Sequence, residues 1–135
     1  MGPKIYLDTN LFIYFFEDNP AYSSKVEKLL TDSLEADQQI IASPLLVTEL
    51  LAGPIKDRVS HLITIYSDLP QIIASLKFVS FDVEVAKIAA GLRAKYRLPT
   101  PDCIHLATAI HAKCVSYYTN DKNLQVVKKI TVTLI

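Results

Sequence analysis

Tryptophan is absent from this 135-residue sequence, methionine occurs once, and there are only three glycines and two cysteines. With glycine confined to positions 2, 53 and 91, neither a G-x-x-x-x-G-K-[ST] loop nor a G-x-G-x-x-G turn can be written, so a glycine-built phosphate cradle is excluded. Cys103 and Cys114 lack C-x-x-C spacing and cannot make a disulfide scaffold; they read as buried small hydrophobes, and a cytoplasmic setting is expected. The longest run without a charge, Gln38 to Thr48, is far short of the ~20 residues that span a bilayer, so no membrane partner is expected. The opening MGPKIYLD has no basic region followed by an apolar core, and no signal peptide is expected from it. Net charge is missing too: fourteen Lys+Arg balance fourteen Asp+Glu, which excludes a disordered charged tail and an overall basic coat.

What is present is core-forming material. Half of the residues are hydrophobic, and the length suits a single domain over 1–135. The balanced charge is unevenly laid out: residues 1–86 hold six basic and twelve acidic side chains, residues 87–135 eight basic and two acidic. That asymmetry points to a surface for an anionic partner in the second half, with Arg93 and Lys95 as the residues to test on it.

Short β-rich runs alternate with amphipathic ones. Strands are expected at Lys4–Leu7, Gln39–Ala42, Phe78–Phe81, Val115–Tyr118 and Thr131–Leu134. Helices are expected over Leu11–Phe16, Ala21–Asp37, from Ser43-Pro44 to Gly53-Pro54, over Ile55–Leu69, from Asp82 onward, and from Thr100-Pro101 to about Lys113. Asp121–Val127 reads as a short helical piece. The alternation predicts an α/β fold with a parallel sheet covered on both faces.

Ligand sites in such folds gather beyond the carboxyl ends of the strands, and four acids sort to those places. Asp8 follows the first strand and Asp121 the fourth, Asp102 opens a helix, and Glu49 is the only charge in SPLLVTELLAGPI. Singly, Asp8 and Asp121 can be helix caps, and Asp102 can answer a helix dipole. Together, converging carboxylates repel one another unless a cation intervenes, and hard oxygen donors suit Mg²⁺ or Mn²⁺. Zinc is disfavoured because no His–His or Cys–Cys ligand spacing is present. His105 and His111, about 240° apart around a helix, do not face one metal, and with His61 they read as ordinary polar or core residues.

The segments KIYLDTNLFIY, SPLLVTELLAG, PTPDCIHLATAIHA and YYTNDKNL, in that order and spacing, resemble the four signature segments of the PIN-domain nucleases, and the chain resembles the VapC-type toxin ribonucleases of VapBC toxin–antitoxin pairs. The resemblance implies a three-layer α/β/α fold, a Mg²⁺- or Mn²⁺-dependent RNA-cleaving site, and usually a homodimer. It implies that Asp8, Glu49, Asp102 and Asp121 are the catalytic and metal-binding acids, with Asn10 and Thr119 as polar support. It also implies a small antitoxin partner, for which Leu11–Phe16 and Leu50-Leu51 offer apolar surface. Some relatives carry a further acid in the fourth segment; here Asn123-Leu124 stands there, so only Asp121 serves from that turn. Two other functions compete. A phosphohydrolase built around Asp8 would want a second Asp where Asn10 stands, and a non-catalytic RNA- or protein-binding domain would have no need to keep four acids.

Overall fold

Alternate residues of the central strand face opposite ways, and this one local rule builds both cores. The structure is a computed structural model that describes residues 2–135. Strand β1 (Lys4–Leu7) lies between β2 (Gln39–Ala42) and β4 (Ser116–Thr119); β3 (Leu76–Phe78) and β5 (Val132–Leu134) are the edges, giving the order β3-β2-β1-β4-β5 with every pairing parallel. Ile5, Leu7, Ile40, Ala42 and Leu76 point into one core, together with helices α1 (Thr9–Phe16), α2 (Ser23–Glu35), α3 (Leu45–Asp57), α4 (Ser60–Ser67) and α5 (Leu69–Ile72). Tyr6, Ile41 and Tyr117 point into the other, against α6 (Val83–Tyr96) and α7 (Thr100–His111). The result is the expected three-layer α/β/α sandwich with a central parallel sheet.

Most ends fall within two residues of expectation, β4 being Ser116–Thr119 rather than Val115–Tyr118, and three boundaries differ by more. Helix α3 runs through Gly53 and Pro54 to Asp57, because Pro54 sits in the last turns, where its missing N–H forfeits one bond only. Arg58, in the left-handed conformation at φ 57°, ends it. The single helix expected over Ile55–Leu69 is therefore broken at Arg58-Val59 into the end of α3 and a separate α4. The third strand lies at Leu76–Phe78 rather than Phe78–Phe81: Ile40 pairs with Leu76, which buries Leu76, while Phe81 is left 49 % exposed. On α2, Leu34 is likewise exposed.

Candidate acidic site at the carboxyl ends of the strands

From β1 the chain builds outward to β2 and β3, then crosses to the other side of β1 for β4 and β5. The reversal leaves a crevice between the carboxyl ends of β1 and β4, where parallel α/β sheets hold their ligands. Asp8 stands at that point, one residue past β1, its backbone N–H bonded to the Tyr118 carbonyl at 2.9 Å. It does cap α1, Oδ1 accepting the Thr9 N–H at 2.8 Å, but the cap is not its whole environment. Thr119, the fully buried last residue of β4, donates its hydroxyl to Asp8 Oδ2 at 2.7 Å and accepts the Asp121 N–H at 3.0 Å. One hydroxyl thus ties the Asp8 carboxylate to the Asp121 backbone across the crevice. Asp121 also caps, its Oδ1 accepting from the Asn123 N–H at 2.9 Å at the head of the 3₁₀ turn Lys122–Val126.

Glu49 reaches the same region from α3. The Thr9 hydroxyl donates to its Oε1 at 2.8 Å, and His105 of α7 bonds the same oxygen through Nε2. Thr9 is therefore the polar residue that supports the acids on this side, whereas Asn10 is exposed in the first turn of α1. His105 is 2 % exposed, a core histidine as expected, and through Glu49 it also touches the acids. A sequence signal for it exists: Asp102 and His105 are three apart on one helix and share a face. His111 and His61 are exposed and take no part.

Asp102, half-buried in the first turn of α7, lines with Asp121, Arg97 and Asn123 an open cavity of about 420 Å³. Glu49 opens instead into a groove of about 260 Å³ shared with Glu17 and Asp57. Asp8 is buried and lines neither. Burial pushes the Asp8 carboxyl above its ordinary range, more than its hydrogen bonds and His105 draw it down. Asp102 is raised by burial first and then by the negative charges of Asp8 and Asp121. Burial also raises Glu49, but the hydrogen bonds from His105 and the Thr9 hydroxyl outweigh it and leave this carboxyl below its ordinary value.

Among the described residues, neither Lys nor Arg makes an ion pair with any of these four acids. Nor do three of them already stand around one point as a ready metal cluster. The donor chemistry nonetheless fits a hard divalent cation: the groups are carboxylate oxygens, two of them held at raised proton affinity by burial, with no side-chain cation to balance them. Arg93 and Lys95 lie apart from the acids: the Arg93 Nη1 donates to the Leu98 carbonyl at 2.6 Å, and the Lys95 ammonium sits over the Tyr96 ring. Arg97 is the basic residue that faces the cavity. The apolar hollow of about 390 Å³ lined by Leu30, Leu34, Ile72 and Ile73 holds no titratable side chain.

The sequence model of the PIN domain matches residues 5–130, nearly the whole chain and all four acids. The chain belongs to the PIN-domain family. Among solved structures it is similar to a VapBC2 complex from Rickettsia felis bound to a DNA fragment from its promoter, with TM-score 0.75 and 17% identity over 98% of each chain. It is similar to VapBC-1 from nontypeable Haemophilus influenzae, at TM-score 0.74 and 14% identity over 96% of each chain. FitAcB from Neisseria gonorrhoeae gives TM-score 0.72 and 21% identity over 95% of each chain. At these identities the likeness is one of fold. No curated protein sequence matches the chain. PIN domains are generally nucleases, and no helix among the described residues is long and apolar enough to cross a membrane.

Proposed function

We propose that the protein is a Mg²⁺- or Mn²⁺-dependent endoribonuclease, the toxin of a VapBC-type toxin–antitoxin pair. What supports this reading is that Asp8, Glu49, Asp102 and Asp121 all lie about the switch point of a PIN fold without a Lys or Arg partner, though not yet gathered around one point. These four carboxylates would hold the cation, which when bound supplies Lewis-acid stabilisation of phosphate charge and makes a water more acidic. Thr119 and Thr9 keep Asp8 and Glu49 from turning away, since each donates to a carboxylate oxygen. Arg97, on the cavity wall beside Asp102 and Asp121, is placed to meet a phosphate of the RNA backbone, with Arg93 and Lys95 further out on the same basic half of the chain.

An antitoxin partner is supported by the complexes to which the fold is similar and by the apolar groove next to Glu49 lined by Ile13 and Pro54, whereas Leu11, Phe12 and Leu50 of the expected apolar surface are core. A homodimer is part of the same reading and is checked by light scattering. The decisive experiment is RNA cleavage by purified protein. Cleavage should require Mg²⁺ or Mn²⁺, stop with EDTA, and be lost in a folded Asp8→Asn variant; wild-type cleavage by that variant would overturn the site. The toxin role has its own test: growth arrest on induction and recovery of a small partner from the native host. Absence of both would reject that role and leave the nuclease chemistry standing.

A further inference from the structure

The Glu49 carboxylate is the end of a buried chain of hydrogen bonds. The Ser43 backbone N–H at the start of α3 donates to the Tyr6 hydroxyl at 3.2 Å, and that hydroxyl meets His105 Nδ1 at 2.5 Å. The far ring nitrogen, Nε2, bonds Glu49 Oε1. Tyr6 and Ser43 are fully buried and His105 nearly so, which leaves the chain no water to complete a missing bond. A carboxylate only accepts, so the proton in the last link is on Nε2. The buried Tyr6 hydroxyl accepts from Ser43 and has no acceptor other than Nδ1 for its own proton. Donors and acceptors are all used in the Nε2–H tautomer, whereas the Nδ1–H tautomer would leave the buried Tyr6 proton without an acceptor and set two acceptors, Nε2 and Oε1, against each other at Glu49.

We propose that His105, held as its Nε2–H tautomer by Tyr6, is the positioning residue of Glu49: with Thr9 it occupies Oε1 and leaves Oε2 as the oxygen available to a divalent cation. The inference rests on the reading of Glu49 as a cation ligand. The geometry ties that ligand to three separated parts of the chain, since Tyr6 comes from β1, Ser43 from the β2–α3 junction and His105 from α7. Tyr6 is itself fixed by stacking on Tyr117, centroids 5.1 Å apart and planes 7° off parallel. Polar partners of a ligand that orient it in this way typically change metal affinity by about 10- to 100-fold when removed.

The test uses full-length protein labelled with ¹⁵N-histidine, with no RNA present. Long-range ¹H–¹⁵N spectra read the tautomer of His105, electron paramagnetic resonance of free Mn²⁺ reads affinity, and metal-free thermal unfolding monitors the fold. Wild type should show the Nε2–H tautomer. His105→Leu should weaken Mn²⁺ binding about tenfold or more, and His105→Gln, which restores an N–H near the Nε2 position, should recover most of it. Tyr6→Phe keeps the stacked ring, and it should mix the tautomers and weaken Mn²⁺ severalfold; it carries the test if His105→Leu does not fold. An Nδ1–H tautomer in wild type, or undiminished Mn²⁺ affinity in folded His105→Leu or Tyr6→Phe, would overturn the proposal. A wild-type protein that binds no Mn²⁺ would overturn the cation reading of the cluster, and this inference with it, before any variant is made.

Discussion

Two acids of one cluster, Asp102 and Glu49, are held in opposite electrostatic states. Asp102 is raised by burial and by its acidic neighbours, so the unfolded chain releases its proton first, and ionisation works against folding. Its destabilising contribution is absent below the ordinary Asp value of about 3.9, grows as pH rises through the raised folded value, and is constant above it. Asp102→Asn should therefore be more stable than wild type at pH 7 without metal, by at most about 1 kcal/mol after screening on its open side, and no more stable near pH 3. Glu49 is lowered, so it stabilises the fold above its ordinary value of about 4.3 and loses that contribution as pH falls through the folded one. Glu49→Gln should accordingly melt below wild type at pH 7 and converge with it in acid. Thermal melts of both variants across pH check the pair of signs; equal shifts in the same direction would show that the two acids do not differ.

The Asp8 carboxylate connects this residue-level balance to ligand binding. A cation at 100 times its dissociation constant stabilises a folded protein by about 2.7 kcal/mol. Mn²⁺ or Mg²⁺ should raise the wild-type midpoint while leaving Asp8→Asn nearly unmoved. Equal shifts in both would place the cation away from Asp8.

At the scale of elements, the turn between α6 and α7 determines where Asp102 sits. Helix α6 stops because Arg97 takes the left-handed conformation at φ 57°, and the Arg93 guanidinium ties down the Leu98 carbonyl before Pro99 and Thr100 open α7. A charge-assisted bond of this kind contributes roughly 1–2 kcal/mol, less where water competes. Arg93→Glu should thus lose stability as well as RNA affinity, whereas Lys95→Glu, at an exposed position over the Tyr96 ring, should keep its melting point. At the other end of α6, Asp82 accepts the Val85 N–H at 3.0 Å, and Asp82→Ala should cost about 1 kcal/mol in denaturant unfolding. That cap was legible from sequence. The break between α3 and α4 was not, because Gly53-Pro54 signals a stop that the helix end tolerates, and the residue that stops the chain, Arg58, has no intrinsic preference for a left-handed turn.

For the whole molecule, the segregation of charge along the chain acquires a location. The acidic first half supplies Asp8 and Glu49, and the basic second half packs α6 and α7 across the sheet, bringing Arg97 to the cavity that holds Asp102 and Asp121. Arg97→Ala should weaken RNA binding and reduce its salt slope by about one, while a surface lysine remote from the cavity, Lys113→Ala, should change neither as much. Titration of RNA at several salt concentrations measures both, and equal slopes for the two variants would remove Arg97 from the interface.

Local patterning was enough to determine the order of strands and helices, the parallel sheet with two covered faces, and the acids at strand and helix ends, because alternation, capping and turn chemistry act over a few residues. Thr119 is a different case: the strand pattern ends at Tyr118, and only the resemblance of YYTNDKNL to a family segment marks this residue. Tertiary structure alone decided which polar side chains share a proton. His105 is 56 residues from Glu49 and 99 from Tyr6, and no periodicity connects them. They meet because β1 lies at the centre of the sheet and α7 packs against its Tyr6 face, while α3 lies on the opposite face and brings Glu49 to the carboxyl edge. Burial then makes each hydrogen bond in that chain obligatory, and burial is a property of the packed layers rather than of any segment.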